Sequence, residues 1–354
     1  MKYPEIISFD DALQQLDRFD AIIDVRSPAE FALDHLPGAI NAPVLDDEQR
    51  IRVGTMYKQV NSFEAKKVGA ALVAKNIAAH IEALWLDQPR EWRPLIYCWR
   101  GGNRSGSMAH ILAKIGWPAA QLDGGYKAFR AHVNAALEQP PALSFKVICG
   151  TTGSGKSRLL EVLNANGAQV LDLEQLAAHR GSVLGNLPSQ PQPSQKAFET
   201  AIWHALRNFD PALPVFVESE SKKVGNLRVP AALMDTMRAS DCIALTLSRE
   251  NRVRLLMEDY AHFTDSPASL NEQLEHLVAL HGRETIKRWQ AMAVDGAMPA
   301  LVEELLANHY DPAYLRSIDR NFVKYAQALP LELEAIDAAA FHQAALDLIA
   351  AARP

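Results

Sequence analysis

Two short segments constrain this chain most. Cys98-Trp99-Arg100-Gly101-Gly102-Asn103-Arg104-Ser105 follows the apolar run Pro94-Leu95-Ile96-Tyr97, and Gly150-Thr151-Thr152-Gly153-Ser154-Gly155-Lys156-Ser157 follows Phe145-Lys146-Val147-Ile148-Cys149. Both read as a strand that ends in a glycine-bearing loop and then a helix, over Ser105–Ile115 and Ser157–Leu163. Further strand candidates are Ala21–Val25, Val170–Asp172, Pro214–Glu218 and Cys242–Leu247. Strands that alternate with helices imply parallel α/β layers in both halves of the chain.

Each loop suggests its own chemistry. A cysteine at a strand end, ahead of two glycines and a helix, sits among unpaired N–H groups and the positive end of the helix dipole. Arg100 and Arg104 add positive charge, and together these favour the thiolate, the form that attacks or carries a chalcogen. Gly101 and Gly102 let successive N–H groups turn inward as an anion nest. The catalytic candidates are therefore Cys98, Arg100 and Arg104. The second segment is a complete Gly-x-x-x-x-Gly-Lys-Ser phosphate loop. Gly150, Gly153, Ser154, Gly155, Lys156 and Ser157 are its phosphate-binding candidates. Ser157 is the expected Mg²⁺ ligand, supported by Asp172 at the end of another strand. Val215-Phe216-Val217-Glu218 ends in an acid without a clear Asp, and Glu218 and Glu220 read equally well as solvated loop charges.

Length and composition bound the rest. At 354 residues the chain is long for one domain. Adjacent prolines at Pro140-Pro141 mark a linker. The reading is an N-terminal domain over 1–138, a phosphate-loop α/β domain over 142–264 and a helical C-terminal region over 265–354. A helix runs from Val53 to Leu86, and an Ala-rich helix closes the chain near Asp337–Ala352. Three cysteines are too few for a disulfide framework and suit a reducing compartment. The opening Met1-Lys2-Tyr3-Pro4-Glu5 carries no signal-peptide pattern and no apolar run approaches a membrane span, so the expectation is a cytoplasmic protein without a membrane partner. The formal charge of −6 gives no global basic signature, so a nucleic-acid partner must meet a local patch. Lys222, Lys223, Arg228, Arg249, Arg252 and Arg254 are candidates for one, with a mixed solvated face as the equal alternative.

Asp24-Val25-Arg26-Ser27-Pro28-Ala29-Glu30-Phe31, His35-Leu36-Pro37-Gly38-Ala39-Ile40-Asn41 and Asp123-Gly124-Gly125-Tyr126-Lys127-Ala128-Phe129-Arg130 resemble the signature segments of the rhodanese fold. With five residues between Cys98 and Arg104, the loop is one longer than the common single-domain sulfurtransferase loop and is similar to that of the related tyrosine phosphatases. The whole chain resembles the tRNA 2-selenouridine synthases, in which a rhodanese domain is fused to a P-loop domain. Val53–Gln59, Asp172–Ser182, Glu218–Ser221 and Arg252–Tyr260 look familial as well. The resemblance implies a transferase that acts on tRNA carrying 2-thiouridine at the wobble position. It implies geranyl transfer from geranyl diphosphate to sulfur, then replacement of S-geranyl by selenium from selenophosphate. It implies Mg²⁺ at the phosphate loop and no organic cofactor. An ATP-dependent tRNA sulfurtransferase, a rhodanese-type phosphatase fused to a kinase-like domain, and a non-catalytic tRNA-binding module stay open as alternatives.

Overall fold

The computed structural model describes residues 3–182, 184–186, 190–261, 263 and 266–352. Residues 1 and 2 and the expected division at 264/265 fall outside them. The chain separates into two compact units, Met1–Ala136 and Leu137–Pro354.

In the first unit, β1 (Glu5–Ile7), β2 (Ala21–Asp24), β3 (Ala39–Asn41), β4 (Pro94–Tyr97) and β5 (Ala120–Leu122) form one sheet in the order β1-β5-β4-β2-β3. Every pairing is parallel. β4 lies at the centre with all four residues buried, so a continuous apolar run rather than an alternating one marks it. Ile23, Val25, Ile96, Met108, Leu112, Trp85 and Trp92 belong to one core cluster. The helix expected from Val53 to Leu86 is a hairpin instead. One helix spans Asp47–Gln59, a second Ser62–His80, and a π-helical turn follows over Ile81–Trp85. The break falls where Asn61 turns extended and its side chain caps the second helix through the Glu64 N–H. That local bond competes with helix continuation. The hairpin closes tightly at Gly69, where a Cβ would stand 3.3 Å from Val53.

The second unit holds β6 (Phe145–Cys149), β7 (Gln169–Leu171), β8 (Val215–Glu218), a small hairpin of β9 (Lys223–Val224) and β10 (Leu227–Arg228), β11 (Asp241–Leu247) and β12 (Leu329–Leu333). The main sheet is parallel in the order β12-β11-β6-β8-β7, with the phosphate-loop strand β6 in the middle. Its side chains alternate between faces. Phe145, Val147 and Cys149 join a core with Phe198, Ile202, Met237 and Ile318, whereas Ile148 joins one with Leu159, Leu163, Phe341 and Leu348. β12 is absent from the sequence reading of a helical C-terminal region. Pro330 within it is tolerated because β12 is an edge strand. Helices Pro267–Glu275, Arg283–Val294 and Met298–Leu305 gather around a further cluster with Trp289 at its centre.

Candidate active site

β4 delivers Cys98 to the first unit's loop, where the residue is only 3% exposed. Ser105, in the first turn of helix Asn103–Ile115, places its hydroxyl 3.2 Å from the sulfur. Gln121 on β5 donates its amide to that hydroxyl oxygen at 3.1 Å. Burial pushes the Cys98 thiol up. The Ser105 hydroxyl, the backbone N–H groups of Ser105 and Arg100, and the charge of Arg104 outweigh it, leaving the thiol below its usual range. The nest is clamped from beneath, because the N–H groups of Tyr126 and Lys127 donate to the carbonyls of Cys98 and Trp99 at 2.8 and 3.0 Å. Gly125 makes this approach possible: its φ is +53°, and a Cβ there would fall 2.2 Å from the Cys98 oxygen.

The two arginines do different things. Arg100 contributes its backbone N–H to the sulfur while its side chain is exposed. Arg104 turns its guanidinium to Glu30, at 2.7 Å, and Arg50 stands 3.8 Å from the same carboxylate. Glu30 also closes the capping box of helix Pro28–Leu33 by accepting from Ser27 N–H at 3.2 Å. Neither Glu30 nor Gln121 is among the residues singled out from sequence, since the contacts span 74 and 16 positions. Below the nest, Arg26 is buried against Asp24 at 2.6 Å, and its guanidinium carbon lies 3.9 Å from the centre of the Tyr126 ring. This pair fixes the segment beside the loop.

In the second unit the loop between β6 and helix Lys156–Ala165 passes through Gly155, whose φ of +89° starts the helix. A Cβ at Gly155 would meet the Phe341 ring at 2.6 Å. Lys156 rests on the Gly150 carbonyl at 2.7 Å, with its amine 5.5 Å from the centre of the Tyr314 ring. The Ser154 hydroxyl is buried with no hydrogen-bond partner among the described residues. Two braces come from distant sequence. Tyr314, on helix Asp311–Asn321, receives the Gly150 N–H at 2.6 Å. Arg252 donates to the Thr152 carbonyl at 2.8 and 3.0 Å and pairs with Asp311 at 2.6 Å. Arg252 is therefore a 6% exposed brace of the phosphate loop rather than a member of an open basic patch.

Ser157 meets Glu174, at 3.0 Å, rather than Asp172. Asp172 caps helix Leu173–Leu176 by accepting from Gln175 N–H at 2.7 Å. Glu218 lies beneath, accepting from Glu174 N–H at 2.9 Å, and its other oxygen is buried without a partner among the described residues. Burial, with Glu174 beside it, pushes the Glu220 carboxyl up to about 8, and burial raises Asp172 to about 6. Glu218 and Glu220 are thus buried members of the site and not solvated loop charges.

Two hollows meet at this loop. A cleft of 440 Å³ is lined by Lys156, Ser157, Arg180, Glu220 and Tyr314 among others. A narrow apolar cavity of 50 Å³ is lined by Met257, Met298, Leu301, Val302 and Leu305. Thr152, Ser182, Leu256, Tyr260 and Tyr310 line both.

The fold and site define a two-part protein, a rhodanese-type cysteine cradle joined to a P-loop domain. A family model described as a rhodanese-like domain matches residues 8–132, and one described as the tRNA 2-selenouridine synthase AAA domain matches residues 143–288. Curated tRNA 2-selenouridine synthases are similar over most of the chain. That of Nitrosomonas europaea is 31% identical, covering 91% of this chain and 95% of its own. That of Shewanella halifaxensis is 30% identical, covering 84% and 89%. That of Nitrosomonas eutropha is 37% identical, covering 68% and 62%. The chain belongs to the tRNA 2-selenouridine synthase family.

Proposed function

We propose that this protein converts 2-thiouridine at the tRNA wobble position to 2-selenouridine, with its two anion sites serving two donors. The observation that carries this reading is the shared wall of Thr152, Leu256, Tyr260 and Tyr310. It joins a phosphate-binding cleft to an apolar cavity. A nucleotide needs polar partners for its base and sugar, whereas a prenyl diphosphate needs a phosphate nest beside apolar side chains. The cavity is narrower than a ten-carbon chain, and two of its walls are the adaptable methionines Met257 and Met298. Entry of geranyl therefore displaces side chains.

The 2-thio sulfur attacks the first carbon of geranyl diphosphate, the carbon–oxygen bond breaks, and diphosphate leaves with the electron pair. Lys156 and the loop N–H groups hold the departing oxygens. Selenium of selenophosphate then attacks C2, so a C–Se bond forms as the C–S bond breaks and geranyl thiolate departs; water opens the P–Se bond, its hydroxide leaving on phosphorus as phosphate and its proton going to the thiolate. Cys98 supplies a thiolate to that step, and the loop N–H groups around it hold the phosphate of the donor.

The donor set at the phosphate loop fits Mg²⁺. Its groups are hard oxygens, Ser157 and Glu174 among them, beside a buried Glu218 oxygen without a partner. Among the described residues no three His, Cys, Asp or Glu side chains form a cage. That agrees with an ion that takes most of its ligands from phosphate and water. When bound, Mg²⁺ supplies charge to the diphosphate.

The test is mass spectrometry of the wobble base after incubation of thiolated tRNA with each donor, alone and together. Cys98→Ser should still geranylate and fail to selenate. Lys156→Ala should fail to geranylate and still convert tRNA geranylated beforehand. Tight ATP turnover without any geranyl product would replace this reading by the adenylating sulfurtransferase.

A further inference from the structure

The helical hairpin Asp47–His80 is basic in an acidic chain. From Gln49 to His80 it carries six Lys and Arg (Arg50, Arg52, Lys58, Lys66, Lys67 and Lys75) against one acid, Glu64. All six cations are exposed. Among the described residues, only Arg50 and Lys67 of these six have carboxylate partners, Glu30 at 3.8 Å and Glu64 at 2.7 Å, and the second pair is a surface contact of small strength. The turn of the hairpin also holds its large apolar residues outward: Tyr57 is 56% exposed, Val60 65% and Phe63 66%. Such a tip contributes nothing to the unit's core. Aromatic rings among cations are what stacks unpaired bases while phosphates are neutralised.

The hairpin also leads to the chemistry. Its second helix presents Ala70, Val73 and Ala74 to an open trough of 720 Å³, whose opposite wall includes Gly101, Gly102 and Asn103 of the cysteine loop. Phe63 lies seven residues before Ala70 on the same helix, about 10 Å along its axis. Small side chains on one wall and glycines on the other leave room for a flipped-out base.

We infer that this hairpin is the docking arm for the anticodon loop of tRNA, with Tyr57 and Phe63 stacking on unpaired bases and Arg52, Lys58, Lys66 and Lys75 meeting phosphates. The inference rests on the proposed action on tRNA, and charge complementarity selects RNA over an apolar protein partner. The test measures binding of a synthetic anticodon stem-loop carrying 2-thiouridine across a salt series, by the full-length protein. The Lys58→Gln/Lys66→Gln/Lys75→Gln variant should lower affinity by about 10-fold or more and flatten the log–log salt slope by about 2–3. Tyr57→Ala/Phe63→Ala should weaken binding by about 10-fold with the slope unchanged. Arg283→Gln/Lys287→Gln, at exposed positions of a helix in the other unit, should leave both near the parent's values. Failure of the parent to bind the stem-loop would overturn the tRNA reading and the arm together. A parent that binds, with a triple variant of equal affinity and slope, would overturn the arm alone. So would an equal loss in the Arg283/Lys287 variant, because the effect would then be general charge.

Discussion

The Ser105 hydroxyl stands 3.2 Å from the Cys98 sulfur, and Gln121 donates to the same oxygen at 3.1 Å. Because Gln121 occupies an oxygen lone pair, the single Ser105 proton is directed either to the sulfur or to the Gly102 carbonyl, also 3.2 Å away. Charge on the sulfur selects the first.

This pair predicts a pH effect. A thiol lowered by hydrogen bonds is deprotonated at lower pH than an ordinary one, so Cys98 should react with iodoacetamide below the usual cysteine range. Ser105→Ala removes a donor that favours the thiolate while burial stays, so the alkylation midpoint should move to higher pH and the rate at pH 7 should fall. An unchanged pH profile would show that Ser105 has no part in activating the sulfur.

Arg104 gives a second prediction. Its planar fork is held by Glu30 through contacts at 2.7 and 3.4 Å. Arg104→Lys keeps the charge and loses the fork, so KM for selenophosphate should rise by about 10-fold. Glu30→Gln should move KM in the same direction if the carboxylate positions Arg104. Superimposable saturation curves for Arg104→Lys and the parent would remove Arg104 from donor binding.

The cavity beside the phosphate loop gives a third. Val302 is partly exposed at its wall, so Val302→Trp should fill the hollow without disturbing the buried cluster around Trp289. KM for geranyl diphosphate should rise by about 10-fold or more, while inhibition by inorganic diphosphate should stay as in the parent. Parallel losses for both ligands would place the defect at the phosphate cradle instead.

A fourth concerns Mg²⁺. With inorganic diphosphate present, Mg²⁺ should raise the melting temperature, because a ligand that binds only the folded state stabilises it. Glu174→Ala removes the carboxylate that meets Ser157 and should abolish most of that rise. If the rise persists in Glu174→Ala and disappears in Asp172→Ala, the metal is supported from the other side of the site.

How far these features could be read from sequence depended on the distance between partners. The strand–loop–helix settings of Cys98 and Lys156 were legible because all their determinants lie within about a dozen residues. The hairpin break at Asn61 was hidden by an Ala-rich pattern that suits one long helix, and only the cap reveals the stop. Glu30 and Tyr314 could not be found, because nothing local ties them to Arg104 and Gly150, 74 and 164 positions away. Arg252 was misleading for the same reason. A row of cations in sequence does not say which one turns inward to Asp311. β12 carries a proline, which argues against a strand unless the edge position is known.

The braces on the phosphate loop have a consequence for synthesis. Gly150 and Thr152 are secured by Tyr314 and Arg252, and Arg252 is itself secured by Asp311. A chain emerging from the ribosome at about 5–20 residues per second reaches Tyr314 roughly 8–30 s after Ser157 has been made. During that interval the cysteine cradle already has every partner described for it, all before residue 130, while the phosphate loop still lacks its supports. A nascent chain thus completes the cradle around Cys98 before the braces of its phosphate loop exist, and the order in which the two loops are supported is written into the order of the residues.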